Sequence, residues 1–382
     1  MVNVTLQTFS GSHHEIGVQQ GQAVRELLQK TLGQIQNFEA LRQVKPKLLP
    51  ASLFLALAKR RADKLFRNDT FEHYPKQAQR LRGIAEGAGV GISTILFLQS
   101  LELLIGQKSE SSYHLQACTS LGFRPKRTTA EEAVLAKNFD YPPEYLAFHL
   151  TCLTKPTGGF QTLGCTMAPL PGMLEGINEH GLAVTYNYTY TTDKPEHFVP
   201  FSVVLQETLE TCKKTDEAVR FITRAKRAAS ALLTFADVEG DIKAVEISSN
   251  HASVREVIDD QIVVTNHYET PEMQKIEIPH TAVYSGRAPK ALHGIRIHES
   301  SEQRLKRAQE LLKSKAKIDE NKIAAVLRDH GGDNQPSMMT ICRHSEFAST
   351  LCSVIFYPNR KIMKVLYGNP CQNEYVEFAF NK

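Results

Sequence analysis

Residues that could perform covalent chemistry meet early in the second hundred of this chain. Thr119 to Phe123 and Ala133 to Asp140 read as two strands separated by the polar stretch 124–132, so Cys118 and Asp140 stand at the open end of one hairpin. Pairing Arg124 with Val134 would set Cys118 opposite Asp140, with Cβ atoms about 5 Å apart. A slip of one residue would turn one of them to the other face. A thiolate nucleophile needs a base, and a Cys at a new chain start carries its own in an α-amine of pKa about 8. No catalytic His is then required. The plain alternative is a small buried Cys beside a structural Asp.

Other constellations are weaker. Cys342 and His344 alternate along one strand face without any chemistry being implied, and with Asp329, His330 and Asp333 they match no recognised ligand spacing. No metal and no cofactor is expected. The cluster Gly87-Ala88-Gly89-Val90-Gly91 follows helical rather than strand sequence, which fits a helix stop better than a phosphate loop. The 7 cysteines are odd in number and widely spaced, so a disulfide framework is not indicated.

The elements that must hold these residues are those of a globular enzyme, since 42% hydrophobic and 23% charged residues suffice for a core in a chain of 382. A net charge of +4, spread along the chain, excludes an electrostatic nucleic-acid footprint. No segment reaches 18 uncharged apolar residues and the N-terminus lacks a basic n-region, so the expectation is a cytoplasmic chain with no membrane partner.

Residues from His14 to about Gln36 read as one amphipathic helix, on which Gly17 and Gly21 would admit another backbone, and residues 50–105 read as further helices. Hairpins are expected at Met173 to Tyr190, Leu232 to Ile247, Val254 to Asn266 and Leu351 to Leu366. Helices are expected near Phe201 to Glu210, Thr215 to Ala225, Ser301 to Lys313 and Asp319 to Arg328. Helices and strands do not alternate one for one, so the class is α+β with two antiparallel sheets rather than a doubly wound parallel sheet.

Gln116-Ala117-Cys118-Thr119-Ser120, followed by Ala136-Lys137-Asn138-Phe139-Asp140-Tyr141, resembles the processing site and second strand of the penicillin (isopenicillin N) acyltransferase family, relatives of the choloylglycine (bile salt) hydrolases. The similarity continues through His14 to Gly21, Leu81 to Val90, Gly176 to Thr185, Arg328-Asp329-His330, Ile341-Cys342-Arg343-His344 and Gly368-Asn369-Pro370-Cys371. The resemblance implies an αββα N-terminal-nucleophile fold and a precursor cut between Ala117 and Cys118. Residues 1–117 would form a helical small subunit that stays associated, and 118–382 the catalytic subunit.

The same resemblance implies that Cys118 is the nucleophile, that Asp140 contacts its amine or thiol, that Asn187 and Asn266 lie near the oxyanion, and that Arg304 is an active-site arginine. Ser300 and Gln303 could form a capping box that places Arg304 in a first helical turn, where the dipole disfavours a cation. Read alone, the asparagines could equally end strands in turns, and Arg304 could be a surface residue.

The sequence departs from the family at Ala117, where Gly is usual, and Ala restricts φ at a bond that is to be cut. Lys137 stands where the bile salt hydrolases place Arg, keeping the charge without its fork. The implied substrate is a small linear acyl amide, an N-acyl amino acid or an acylated amine, with an acyl-coenzyme A donor and a non-processed small-molecule binder as the alternatives. A homo-oligomer is left open.

Overall fold

The structure, a computed structural model, describes residues 4–34, 45–46, 48–101, 103, 117–286 and 288–380. Gln116 of the processing motif and the ends of the helical stretches expected at 35–36 and 104–105 lie outside those residues.

The chain opens with a strand, β1 (Leu6–Gly11), and continues in helices α1 (His13–Ala23), α2 (Arg25–Gln34), α3 (Ala51–His73), α4 (Pro75–Ala88) and α5 (Ile92–Gln99). Ser12 starts α1 with a capping box, accepting from Glu15 N at 3.3 Å while its own N–H donates to the Glu15 carboxylate at 2.7 Å. The single helix expected from His14 breaks at Val24, which leaves helical geometry at φ −112 and ψ 8.

Gly17 and Gly21 do admit another backbone. A Cβ at Gly17 would sit 2.1 Å from Arg80 O, and one at Gly21 would sit 2.4 Å from Ile84 O. Gly83 and Gly87 of α4 reciprocate, each 2.1 Å from a carbonyl of α1. Only hydrogen at these four positions lets the two helices touch through their main chains.

From residue 117 the texture turns to strands: β2 (Ala117–Phe123), β3 (Val134–Tyr141), β4 (His149–Pro156), β5 (Thr162–Met167), β6 (Glu175–Asn178) and β7 (Ala183–Tyr188). Helices α6 (Phe201–Thr211) and α7 (Thr215–Arg224) intervene before β8 (Ala231–Ala236), β9 (Ile242–Ile247), β10 (Ala252–Arg255) and β11 (Gln261–Val264). Then come α8 (Glu299–Leu311), α9 (Glu320–Leu327), β12 (Ser349–Tyr357), β13 (Ile362–Tyr367) and β14 (Val376–Ala379).

The strands form an 8-stranded sheet of order β1-β4-β5-β6-β7-β8-β9-β10 and a 6-stranded sheet of order β11-β2-β3-β12-β13-β14. All pairings are antiparallel except β1 with β4 at the sheet edge, which is parallel. The sheets face each other across one core, where Cys118, Leu135 and Phe139 pack with Val184, Tyr186 and Leu233. Leu121, Phe123, Val134 and Ala136 point outward and are covered by Leu305 and Ala308 of α8 and Ile323 and Leu327 of α9. Against the 8-stranded sheet lies α6, whose Leu209 carbonyl accepts from Asn178 at 2.8 Å. The architecture is therefore the expected αββα sandwich.

Two details differ from the expectations. Val254 to Asn266 is not a hairpin, because β10 pairs with β9 in one sheet and β11 with β2 in the other. Asp259 and Asp260, at φ 51 and 56, carry the crossover. The β2–β3 register is also one residue off, with Ala117 opposite Asp140 and Cys118 opposite Phe139. Arg124 cannot pair with Val134, because its N–H donates to Asp260 O at 2.9 Å and a 3-10 turn starts at Pro125. Asp140 therefore lies on the helix-facing side of the sheet, and Cys118 on the core side.

Glu210 of α6 ties the first hundred residues to the rest. Its buried carboxylate accepts from His13 at 2.8 Å, Gln77 at 2.9 Å, Arg80 at 3.2 Å and Gln206 at 2.7 Å. Burial raises its pKa, but these donors outweigh burial and hold it below the ordinary glutamate value.

The close helix contact fixes the sign of one substitution. Gly→Ala inside a helix normally stabilises by up to about 1 kcal/mol, whereas Gly17→Ala or Gly83→Ala should destabilise by about 1–3 kcal/mol through overpacking. Denaturant unfolding measures this, and a stabilised variant would contradict the contact.

Candidate active site

The sulfur of Cys118 lies at the start of a central strand, and the residue is fully buried. Its backbone N–H donates to Asn266 Oδ1 at 2.9 Å. Arg304, 1% exposed, donates through Nη1 to the Cys118 carbonyl and to Thr119 Oγ1 at 2.9 Å, and through Nη2 to Asn266 Oδ1 at 2.8 Å. One guanidinium thus grips both Cys118 and the amide that receives its N–H.

The position of Arg304 differs from the sequence expectation. His298 is the N-cap of α8, so Arg304 falls in the second turn and Ser300 and Gln303 form no capping box. Ser300 Oγ instead donates to Met338 O at 2.9 Å and accepts from Arg304 Nε at 3.3 Å. Burial brings the guanidinium down to about 10, against the upward pull of Asp140, so it remains charged at neutral pH.

Asn266 is oriented without ambiguity. Two donors fix its Oδ1, its Nδ2 donates to Tyr188 O at 2.7 Å, and its N–H donates to Ser301 Oγ at 2.7 Å. That leaves one amide N–H uncommitted among the described residues. Asn187 is used differently. Its Nδ2 donates to Val264 O at 3.0 Å and Thr265 O at 2.9 Å, and its Oδ1 accepts from Ser120 at 2.6 Å. Both of its N–H groups are spent on tying β7 to the end of β11, and its Oδ1 ties β7 to β2 across the sandwich.

Asp140 is buried behind this arrangement. Its Oδ1 accepts from Thr350 at 2.7 Å, while among the described residues Oδ2 has no hydrogen-bond partner. Burial raises its pKa, and the positive charges of Arg304 and Arg343 counter that shift. Asp140 shares its face with Ala117, so the carboxylate neighbours the peptide that precedes Cys118 rather than the thiol.

The thiol faces Lys137 instead. Lys137 donates to Glu175 and to the Tyr186 carbonyl, and its ammonium lies 4.9 Å from the Phe139 ring centroid. Burial works against its charge, but Cys118 and Glu175 outweigh it and raise the pKa above that of an ordinary lysine. Burial pushes the Cys118 thiol up to about 11, with Lys137 the strongest opposing influence. Lys137 is thus the counter-charge a thiolate would meet.

Thr119, Ser120, Ser301, Glu175, Thr350 and Arg343 hold this site and were not singled out from sequence as members of it. Strand alternation from Cys118 could have marked Ser120, but nothing in the sequence pairs Glu175 with Lys137.

A sequence model described as acyl-coenzyme A:6-aminopenicillanic acid acyl-transferase matches residues 127–372, well over half of the chain. The chain belongs to that family. The match contains Asp140, Asn187, Asn266 and Arg304 and begins after Cys118. Among curated proteins, this family member is 25% identical over 221 residues to Protein dcd1A of Dictyostelium discoideum, covering 54% of this chain and 47% of that one. It thus spans about half the length of this relative.

Among solved structures, a Caenorhabditis elegans N-acylethanolamine-hydrolyzing acid amidase ortholog aligns at a TM-score of 0.43 and 18% identity, over 63% of this chain and 93% of that one. A mutant form of the conjugated bile acid hydrolase from Clostridium perfringens aligns at 0.44 and 14%, over 69% and 97%. Likenesses this distant carry no functional argument.

The buried ion pair yields a stability test. Lys137→Met leaves the Glu175 carboxyl, whose pKa burial already raises, without its partner in the core and should cost about 3–5 kcal/mol, while adding Glu175→Met should recover most of it. Urea unfolding of the two variants checks this. Equal losses in both would show that the pair matters only as packing.

Proposed function

We propose that this chain cuts itself between Ala117 and Cys118, and that the freed Cys118 then hydrolyses a linear amide, an N-acyl amino acid or an acylated amine. The observation that carries the reading is the hydrogen bond from Cys118 N to Asn266 Oδ1, with Arg304 braced on both residues. A backbone N–H accepted by a side-chain oxygen that a buried cation also braces supports a role for that nitrogen as the α-amine. The residue behind it is a thiol.

In the first step Cys118 Sγ attacks the Ala117 carbonyl, the C–N bond breaks, and Cys118 N takes the thiol proton. Water then hydrolyses the thioester, releasing the Ala117 carboxylate and the free thiol. Ala117 lies in the extended strand opposite Asp140, where a Cβ is tolerated, so Gly is not demanded there by φ. Asp140, beside that peptide with one oxygen unpartnered among the described residues, is suited to accept or return its protons.

In turnover the α-amine accepts the thiol proton, and the thiolate, facing Lys137, attacks the substrate carbonyl. The uncommitted N–H of Asn266 is the available oxyanion donor, and such a donor is worth roughly 3–4 kcal/mol. The amine leaves with the proton from the ammonium, and water resolves the acyl-enzyme. Asn187 serves by fixing β2 against β7 rather than by touching the oxyanion. Residues 4–101 would remain attached after cleavage through β1 on β4, the α1–α4 contact and the donors to Glu210.

The family's description favours a second reading, in which coenzyme A supplies the acyl group and an amine, not water, resolves the acyl-enzyme. Competition between added amine and water for the acyl-enzyme separates the two.

Intact mass tests the first step. The wild-type chain of 42.8 kDa should resolve into two chains ending at Ala117 and starting at Cys118, while Cys118→Ala should stay whole. A wild-type chain that stays intact, yet remains active after Cys118 is blocked, would overturn the proposal. Before cleavage, iodoacetamide labelling of Cys118 should be slow at pH 7 and rise toward pH 11, because burial holds the thiol protonated up to about 11. Peptide mapping reads this, and fast neutral-pH labelling of an intact chain would contradict the buried thiol.

A further inference from the structure

Three segments far apart in sequence converge on a second cluster of thiols and imidazoles, away from Cys118. His330 follows α9, Cys342 and His344 lie in the loop before β12, and Cys371 follows β13. One ligand atom from each of the four lies within 4.8 Å of all the others. His344 Nε2 is 3.4 Å from Cys342 Sγ and 3.3 Å from Cys371 Sγ. The His330 and His344 rings stand edge to face at 5.1 Å, and His330 Nε2 is buried without a hydrogen-bond partner among the described residues.

We propose that His330, Cys342, His344 and Cys371 form a structural zinc site of the Cys2His2 type. Zinc takes sulfur at about 2.3 Å and nitrogen at about 2.0–2.1 Å in a tetrahedron, which sets neighbouring sulfur and nitrogen ligands about 3.6 Å apart. The two measured sulfur–nitrogen separations need to widen only slightly to match. Two thiolates with two imidazoles suit zinc over magnesium or calcium, whose ligands are oxygens. Four protein ligands close the coordination sphere, which makes the site structural rather than catalytic.

The nearby carboxylates are otherwise engaged. Asp329 forms a bidentate pair with Arg307 at 2.9 and 2.8 Å, and Asp333 accepts from Gln335 N at 3.1 Å.

The surrounding hydrogen bonds indicate what the ion would secure. Cys342 N donates to Asp329 O at 3.0 Å, Asn369 Nδ2 to Arg343 O at 2.7 Å, and Arg328 Nε to Pro370 O at 2.8 Å. Arg343, between two of the ligands, donates its N–H to Thr350 Oγ1 at 2.9 Å, and that hydroxyl donates to Asp140 at 2.7 Å. A metal here would clamp the loop that supports Asp140.

The spacing escapes motif reading because the ligands come one, two and one from three separate segments. All four lie beyond residue 118, so the site forms whether or not the chain is cut, and its test is independent of the proposed cleavage.

The experiment uses full-length protein purified without a metal-affinity tag. Elemental analysis should find one zinc ion per chain surviving gel filtration. Among the described residues Cys371 is the one exposed cysteine. A free thiol there would label first with iodoacetamide, whereas a zinc-bound one should label only after chelation. Cobalt(II) added to chelated protein should give the intense visible absorption of tetrahedral thiolate coordination. Chelation should lower the Tm of the wild type and zinc restore it, while Cys371→Ser, a change at an exposed side chain, should respond to neither. Absence of zinc together with no cobalt absorption in the reduced wild-type protein would overturn the site, as would a Cys342–Cys371 disulfide in the freshly purified protein.

Discussion

Much of this molecule is arranged around the guanidinium of Arg304. It is one of the largest fully buried side chains and carries a charge that burial disfavours, so it needs acceptors close around it. The Cys118 carbonyl, Thr119 Oγ1, Asn266 Oδ1 and Ser300 Oγ take four of its five N–H groups. These acceptors come from β2, from the residues after β11 and from α8 itself. Misplacing any one of those elements would leave a buried charge with an unanswered donor. The start of β2 is thereby held more rigidly than ordinary strand pairing would hold it.

The two faces of the 6-stranded sheet divide the labour. On the core side the Cys118 thiol meets Lys137, which Glu175 and the Tyr186 carbonyl anchor from the opposite sheet. On the helix side Asp140 stands with Arg304 and Arg343, beside Ala117. Thiol and carboxylate, one residue out of register, therefore flank the same strand start from opposite surfaces. Both sheets contribute, and Ser120 and Asn187 hold them in alignment with a 2.6 Å hydrogen bond.

Much of the fold could be read locally. Apolar periodicity marked α6, α7, α8 and α9 to within a few residues, and turn residues marked the β6–β7, β8–β9 and β12–β13 hairpins. Gly17 and Gly21 announced a close helix contact, although their partners Gly83 and Gly87 became visible only in three dimensions. The failures share a cause. The β2–β3 register, the β10–β11 crossover and the cap of α8 each turn on a hydrogen bond or strand partner remote in sequence, as with Arg124 N and Asp260 O.

By itself the sequence determined the α+β class, the order of most elements and the candidates Cys118, Asp140, Asn187, Asn266 and Arg304, because periodicity, turn chemistry and ordered motifs are properties of neighbouring residues. Tertiary structure alone decided which face each side chain occupies, that among the described residues both amide hydrogens of Asn187 are consumed while one of Asn266 is not, and that Lys137 finds Glu175. It alone gathered His330, Cys342, His344 and Cys371. A one-residue register shift reverses a strand's faces while leaving its hydrophobic pattern almost unchanged. Local sequence therefore constrains what a strand is made of far more tightly than what it touches.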